Sequence, residues 1–448
     1  MSQGPRDHPD RQALTREIHA RPYARLSAPQ RVSHLAMLSG EGAGSADRAH
    51  LLALCRRYDV PAPAEDADHV MLDLGPFRLK WERHTEFTSY TFFDADEGAL
   101  ARESQPFAQP VLAKVPKDWL AELPGELIVG VHLEMETRER KRRDVDSLSA
   151  LFGTDNIAGS EVAGGAAAVW MDFAVREDGF GRILLHDRHL QPRQGGRLIQ
   201  RLLEIETYRM LALLALPLAR QHGRTLTQAG QRLAEITARM GEIVDLDDER
   251  RLLGELTELS IEIEQGAAAT NYRFGAARAY DALVRRRVEE LREVRIEGFQ
   301  TIQEFLERRL EPAMRTCEAV AQRLDTLSWR LARASQLLRT RVDVALEAQN
   351  RDLLRSMNRR ARLQLRLQQT VEGLSVAAIS YYLVGLISYA AKGAEAGGLA
   401  LDPEVVAGVS IPFVVGLVGF GVWRLRRHLR EASEPGETRV RSGGGAGL

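Results

Sequence analysis

The run LSVAAISYYLVGLISYAA, residues 374–391, and its companion VVAGVSIPFVVGLVGFGVW, residues 405–423, decide the architecture. They hold 18 and 19 residues without a single charge. A helix rising 1.5 Å per residue needs about that length to cross a hydrocarbon core of about 30 Å. Two such runs around one short loop predict a two-span helical hairpin in a lipid bilayer. Residues 351–370 carry Arg351, Arg355, Arg359, Arg360, Arg362 and Arg366 against Asp352, and Arg424, Arg426, Arg427 and Arg430 follow the second run. The loop, KGAEAGGLALDPE, sets only Lys392 against Glu395, Asp402 and Glu404. Arginine concentrates on the cytoplasmic side of spans, so both chain ends are expected in the cytoplasm and the loop on the far side.

The spans carry more than lipophilicity. Glu372, Ser375, Ala378, Tyr382, Gly385 and Ser388 recur in steps of three or four, which places them on one helix face. Gly408, Pro412, Gly416 and Gly419 make a similar stripe on the second span, and small residues let membrane helices approach closely. Two readings follow. The stripes pack the two spans of one chain together, or they pack protomers, with Glu372, Ser375, Tyr382 and Ser388 turned to an axial pore. In the second case Lys392, Glu395, Asp402 and Glu404 surround its outer mouth.

Upstream, residues 195–370 read as helix. Ala313, Cys317, Val320, Leu324, Leu327, Leu331, Ala334 and Leu338 alternate steps of four and three, the seam of a coiled coil. Pro312 is expected to break or kink the helix. No proline or glycine follows until past Gln369, which predicts a stalk of about 85 Å running into the first span. Its seam requires other helices, from its own chain or from copies. Residues 197–220, with Pro217 near their end, 225–242, 246–265 and 272–293 are the helices available.

Residues 1–190 differ in character. In VMLDLGPFRLKWERHTEFTSYTFFD, strands are predicted at 70–74, 77–84 and 86–93, with Phe77, Leu79 and Trp81 alternating with polar residues as in a half-buried strand. Further strands are expected at 126–134, 166–175 and 180–186, and helices at 9–18, 28–39, 46–57 and 144–151. This mixture predicts an α+β or α/β layer domain. The Gly-rich AGSEVAGGAAAVW precedes a strand instead of joining a strand to a helix, so it does not suit a phosphate-cradling loop.

A chain of 448 residues accommodates two or three domains. The division read here is 1–190 (cytoplasmic α/β), 191–370 (helical bundle and stalk), 371–430 (membrane hairpin) and 431–448 (a disordered cytoplasmic tail). The polar N-terminus MSQGPRDHPDRQ does not read as a signal peptide. A net charge of −1 argues against nonspecific nucleic-acid binding. Cys55 and Cys317 form no CxxC, and no histidine pattern has zinc spacing, so neither metal nor cofactor is expected. His19 and His34 in IHARPYARLSAPQRVSH, His84 in KWERHTEF, and His186 and His189 in HDRH read as surface or hydrogen-bonded structural histidines. No general acid or base stands out, so an enzyme is not expected. Only five cations are lysines, among them Lys80 and Lys392.

The stretches EIHARPYARLSAPQRVSHLAML, GPFRLKWERHTEFTSYTFF, GRLIQRLLEIETYRMLALLALPLAR and LQLRLQQTVEGLSVAAISYYLVGL resemble the bacterial family labelled domain of unknown function 3422, described as predicted membrane-anchored proteins. The resemblance implies an anchor in the bacterial inner membrane. In architecture the chain also looks like CorA-type magnesium channels: a cytoplasmic α/β domain, a long stalk entering the first of two C-terminal spans, a short outer loop and a basic tail. That likeness implies a homo-oligomer with the first span lining a pore. The channels carry Gly-Met-Asn at the outer end of that span, whereas this chain reads SYAAKG. Their selectivity residues therefore do not carry over, and a ring of Lys392 disfavours a divalent cation. The function expected first from these features is an oligomeric CorA-like ion channel or transporter; the alternative is a membrane-tethered cytoplasmic scaffold or sensor whose spans only anchor and associate.

Overall fold

The computed structural model describes residues 7–12, 14–15, 23–40, 44–94, 105–140, 143–243, 245–396 and 402–431. His19 and the tail 432–448 lie outside them. The chain divides into two compact units, Met1–Arg339 and Thr340–Leu448.

The order of elements is β1 (Gln30–Leu38), α1 (Gly44–Arg57), β2 (His69–Asp73), β3 (Phe77–Arg83), β4 (Phe87–Asp94), α2 (Lys117–Ala121), β5 (Glu126–Glu136), α3 (Val145–Phe152), β6 (Ala158–Val162), β7 (Ala167–Met171), β8 (Gly181–Asp187), α4 (Pro192–Leu213), α5 (Ala215–Glu242), α6 (Leu246–Leu291), β9 (Val294–Arg295), α7 (Ile302–Ala396) and α8 (Pro403–Glu431). The strands form one sheet in the order β2-β3-β4-β1-β5-β8-β7-β6-β9. Only β5 and β8 pair in parallel; the other neighbours are antiparallel. The fold is α+β.

Residues 28–39, expected to be helical, hold the inner strand β1, which pairs with both β4 and β5. All but the last of its nine residues are buried. With neither face in water, the strand shows no polar alternation, and its sequence cannot be told from a buried helix by period. The Gly-rich AGSEVAGGAAAVW is a hairpin of β6 and β7. Ala163, Gly164 and Gly165 at its tip all have positive φ, which glycine supplies without strain.

Both faces of the sheet are covered. On one, Leu35, Phe77, Leu79, Trp81, Tyr90 and Phe92 pack against Leu51 and Leu54 of α1 and Trp119 of α2. On the other, Val131, Leu133, Ile183 and Leu185 pack against Leu198, Leu202 and Ile205 of α4 and Val284 and Val288 of α6. β4 is therefore buried throughout and β3 everywhere but at Arg78 and Arg83, so neither strand keeps a solvent face.

The helix expected at 197–220 ends earlier, and a new one starts at Ala215. Pro217 has no N–H for the Leu213 carbonyl, and the chain restarts so that the proline falls in a first turn, where no such bond is needed. The stretches 246–265 and 272–293 are one helix, α6. Pro312 lies inside an unbroken α7. The seam from Cys317 to Leu338 is buried against Leu226, Leu233 and Ile236 of α5 and Leu252, Leu256 and Leu259 of α6. Its partners are helices of its own chain.

In the second unit, α7 from Glu347 to Val371 exposes every residue whose side chain is described, including Leu353, Leu354, Met357, Leu363, Leu365 and Leu367. The apolar ends of α7 and α8 are long and apolar enough to cross a membrane, and only 11% of each apolar window is buried. Leu374, Tyr381, Phe413 and Leu417 are each more than 70% exposed. The core helix of a soluble protein hides such residues.

Candidate functional site

The residues singled out on the hairpin occupy two helices and their junction. Glu372 lies in α7, its side chain outside the described residues. The Ser375 hydroxyl donates to the Val371 carbonyl at 2.9 Å, and Ser410 donates likewise to Ala407 at 2.7 Å. Ser375 thus spends its one proton inside its own helix. Tyr382 is exposed and Ser388 half-buried. Lys392, Glu395, Asp402 and Glu404 are exposed, and Asp402 caps α8 by accepting the Glu404 N–H at 3.0 Å. A Cβ at Gly408, Gly416 or Gly419 would meet nothing within 4 Å, and Pro412 is exposed. Within this unit the buried span residues are Ser380, Ala391 and Val414.

The first unit holds the chemistry that sequence reasoning passed over. Along β3, Phe77, Leu79 and Trp81 point to the aromatic side of the sheet, so Lys80 and Glu82 point to the other. The register continues their rows: Lys80 lies opposite Thr91 and Thr91 opposite His34, while Glu82 lies opposite Ser89 and Ser89 opposite Ala36. Three adjacent strands thus bring Lys80, Glu82, Ser89, Thr91 and His34 to one patch. Helix α4 covers it with Gln200, Leu203, Glu204 and Thr207, and α6 contributes Arg287. Between them is a cavity of ≈ 240 Å³, with Leu26, Phe87, Phe93 and Ile199 as its apolar wall.

The cover is held close by two glycines. The Leu26 N–H donates to the Pro192 carbonyl at 3.0 Å. This lays the segment Ala24–Leu26 across the start of α4. A Cβ on Gly196 would stand 1.7 Å from the Ala24 carbonyl oxygen, and one on Gly195 2.6 Å from that of Leu26. Only glycine fits at Gly196.

The polar groups form one chain. The Lys80 ammonium lies 2.9 Å from Glu82 Oε1 and donates to Gln200 Oε1 at 3.0 Å. Gln200 donates to Glu204 at 2.8 Å, Glu204 accepts from Arg287, and Arg287 reaches Glu290, which also accepts from Arg201 at 2.9 Å. Lys80 and Glu82 are 6% and 8% exposed. A buried pair of this kind holds only where further hydrogen bonds offset lost hydration, and Gln200 supplies one. Lys80 and Arg287 balance Glu82 and Glu204, so these four lining charges sum to zero.

His34 is locked. Thr207 donates its hydroxyl proton to the Leu203 carbonyl at 2.8 Å, so its oxygen accepts from His34 Nε2 at 3.1 Å. Nδ1 then accepts from the Thr91 hydroxyl at 2.9 Å. Burial, helped by Lys80 and His84 nearby, pulls its pKa down to about 3. A neutral ring with both nitrogens occupied is a structural tie between β1, β4 and α4, and the motif IHARPYARLSAPQRVSH keeps this histidine for packing. His84 stacks on Phe87, centroids 4.2 Å apart, at the cavity wall. Just outside it, Glu86 binds Arg273 through both oxygens at 3.0 and 3.1 Å and accepts from Tyr280 at 3.1 Å. Burial raises the Glu86 pKa, but hydrogen bonds from Tyr272, Arg273 and Tyr280 outweigh it and hold the carboxyl below its usual range.

One other pairing has the look of chemistry. The Ser33 hydroxyl lies 2.9 Å from His132 Nδ1. Ser33 is completely buried, so no acyl group can reach it. Among the described residues, no three His, Cys, Asp or Glu side chains gather as metal ligands.

The chain matches the family described as "Protein of unknown function (DUF3422)" over residues 6–429, and it belongs to that family. No curated protein matches it. Three of the four stretches that carry the family resemblance meet at the cavity: the first supplies Leu26 and His34, the second Lys80 to Phe93, the third Gly196 to Tyr208.

Proposed function

We propose that this member of the DUF3422 family is a membrane-tethered sensor, whose first unit binds a small molecule while the C-terminal hairpin anchors it. The charge-balanced cavity built from β1, β3, β4 and α4 carries the reading. Ordinary interiors bury few ionic groups, and here buried Lys80 and Glu82, with half-buried Glu204 and Arg287, line one chamber that has room for a guest. The exposed apolar faces of α7 and α8 support the anchor. On this proposal the spans run 374–391 and 405–423 in the bacterial inner membrane, with both arginine-rich ends in the cytoplasm. Membranes washed with alkaline carbonate should retain the protein, and detergent should release it. Release by carbonate alone would sink the anchor.

The second reading is an oligomeric ion channel of CorA-like build. Exposed Tyr382 and the open glycines of α8 leave faces for other copies. The Ser375 hydroxyl bound within its own helix weakens a polar pore lining. Purified protein in liposomes tests it: ion flux altered by Lys392→Ala, from a ring of several copies, would favour the channel over the sensor. A monomer or dimer without flux would favour the sensor.

A further inference from the structure

We infer that the cavity beneath α4 binds a small zwitterion of the amino-acid type, an ammonium and a carboxylate on one short apolar frame. The inference rests on the sensor reading and names its ligand class. Size comes first. At ≈ 240 Å³ the cavity falls below the roughly 300–1,000 Å³ of drug-sized sites, so the guest is a small metabolite. Charge comes next. Phosphate or a dicarboxylate would leave unbalanced negative charge in a chamber whose cations, Lys80 and Arg287, already face Glu82 and Glu204. A divalent cation would meet Lys80 within the same site. Only a guest with no net charge leaves the balance intact, and burying net charge is costly.

Unspent hydrogen-bonding capacity then separates a zwitterion from a plain polyol. Of the three Lys80 N–H groups, Gln200 accepts one, and the ion-paired Glu82 carboxylate engages at most one more. The third is open to a carboxylate. Beyond Lys80, the Glu82 carboxylate has no protein partner among the described residues, so it can accept from an ammonium. The buried Ser89 hydroxyl, opposite Glu82 in register, also has no side-chain partner among them. Lys80 and Glu82 lie two apart on one strand, so a free cationic donor and a free anionic acceptor sit side by side. Phe87 and Phe93 flank the polar patch on the same sheet face, and Leu203 covers it from α4.

The test uses the full chain in detergent, with thermal shift and calorimetry against the standard amino acids of zero net charge, inorganic phosphate, magnesium and glycerol. At least one zwitterion should bind and raise the melting temperature. Ser89→Val fills part of the cavity but leaves the Lys80–Glu82 pair intact, and it should weaken that binding at least about tenfold. Glu82→Gln keeps the shape but leaves net positive charge, and it should shift preference from the zwitterion to the corresponding ammonium-free carboxylate. Tighter binding of phosphate, magnesium or glycerol would overturn the zwitterion and leave the sensor standing. No binding by any probe would overturn both, and a melting temperature raised by Ser89→Val would then mark a water-filled packing defect.

Discussion

At the scale of single residues, the cover over the cavity depends on two positions that leave no room for a Cβ, Gly195 and Gly196. Gly196 is the sharpest. The Ala24 carbonyl occupies the place of its missing Cβ. Gly196→Ala should therefore destabilise the first unit by about 3 kcal/mol or more, read from its urea midpoint; an unchanged midpoint would mean that the segment over α4 yields freely. His34 couples the same region to pH. Its pKa falls from 6.5 to about 3 on folding, so between those values the unfolded chain binds a proton that the folded chain does not. Stability is then full above pH 6.5 and is lost as pH falls toward 3. At pH 5 the loss from His34 alone is about 2 kcal/mol. His132, lowered to about 4 mainly by burial, adds in the same direction. His34→Gln should flatten stability against pH between 6 and 4. An equally steep profile in that variant would remove His34 as the cause.

At the scale of elements, α7 changes company along its length. Up to Leu338 its seam is buried against α5 and α6, whereas beyond Glu347 its leucines are exposed. Leu331→Ala should cost about 2–5 kcal/mol, since it opens a cavity in a packed bundle. Leu353→Ala should change the stability of the isolated chain by no more than about 0.5 kcal/mol. Because the seam's partners come from the same chain, the Leu331→Ala effect should not vary with protein concentration. A concentration-dependent loss would place the seam between copies. Periodicity made this seam legible in advance. It could not say whether the partner helices were intramolecular, because a heptad reports only that one face must be covered.

At the scale of the molecule, Cys55 and Cys317 provide a silent background for a topology experiment. Both are buried, and burial raises both thiol pKa values, so neither labels readily. Glu395→Cys, at an exposed position next to the span end, should react with a membrane-impermeant maleimide from the outside of spheroplasts. Labelling only in inverted vesicles would reverse the proposed orientation.

The sequence by itself determined the long apolar runs, the arginine asymmetry beside them, the helical seam of α7 and most strands of the sheet. Each is a local property: length, charge count or period. Alternation along β3 also showed that Phe77, Leu79 and Trp81 face one way and Lys80 and Glu82 the other. What it could not show is that the second face is covered. A period of two says that the faces differ, not which of them meets water. Only the tertiary structure, in which α4 lies over the sheet and two glycines let Ala24 and Leu26 close against it, turned a polar strand face into a buried charged chamber. Burial there is decided by chain segments more than a hundred residues apart, and no local pattern on β3 encodes it.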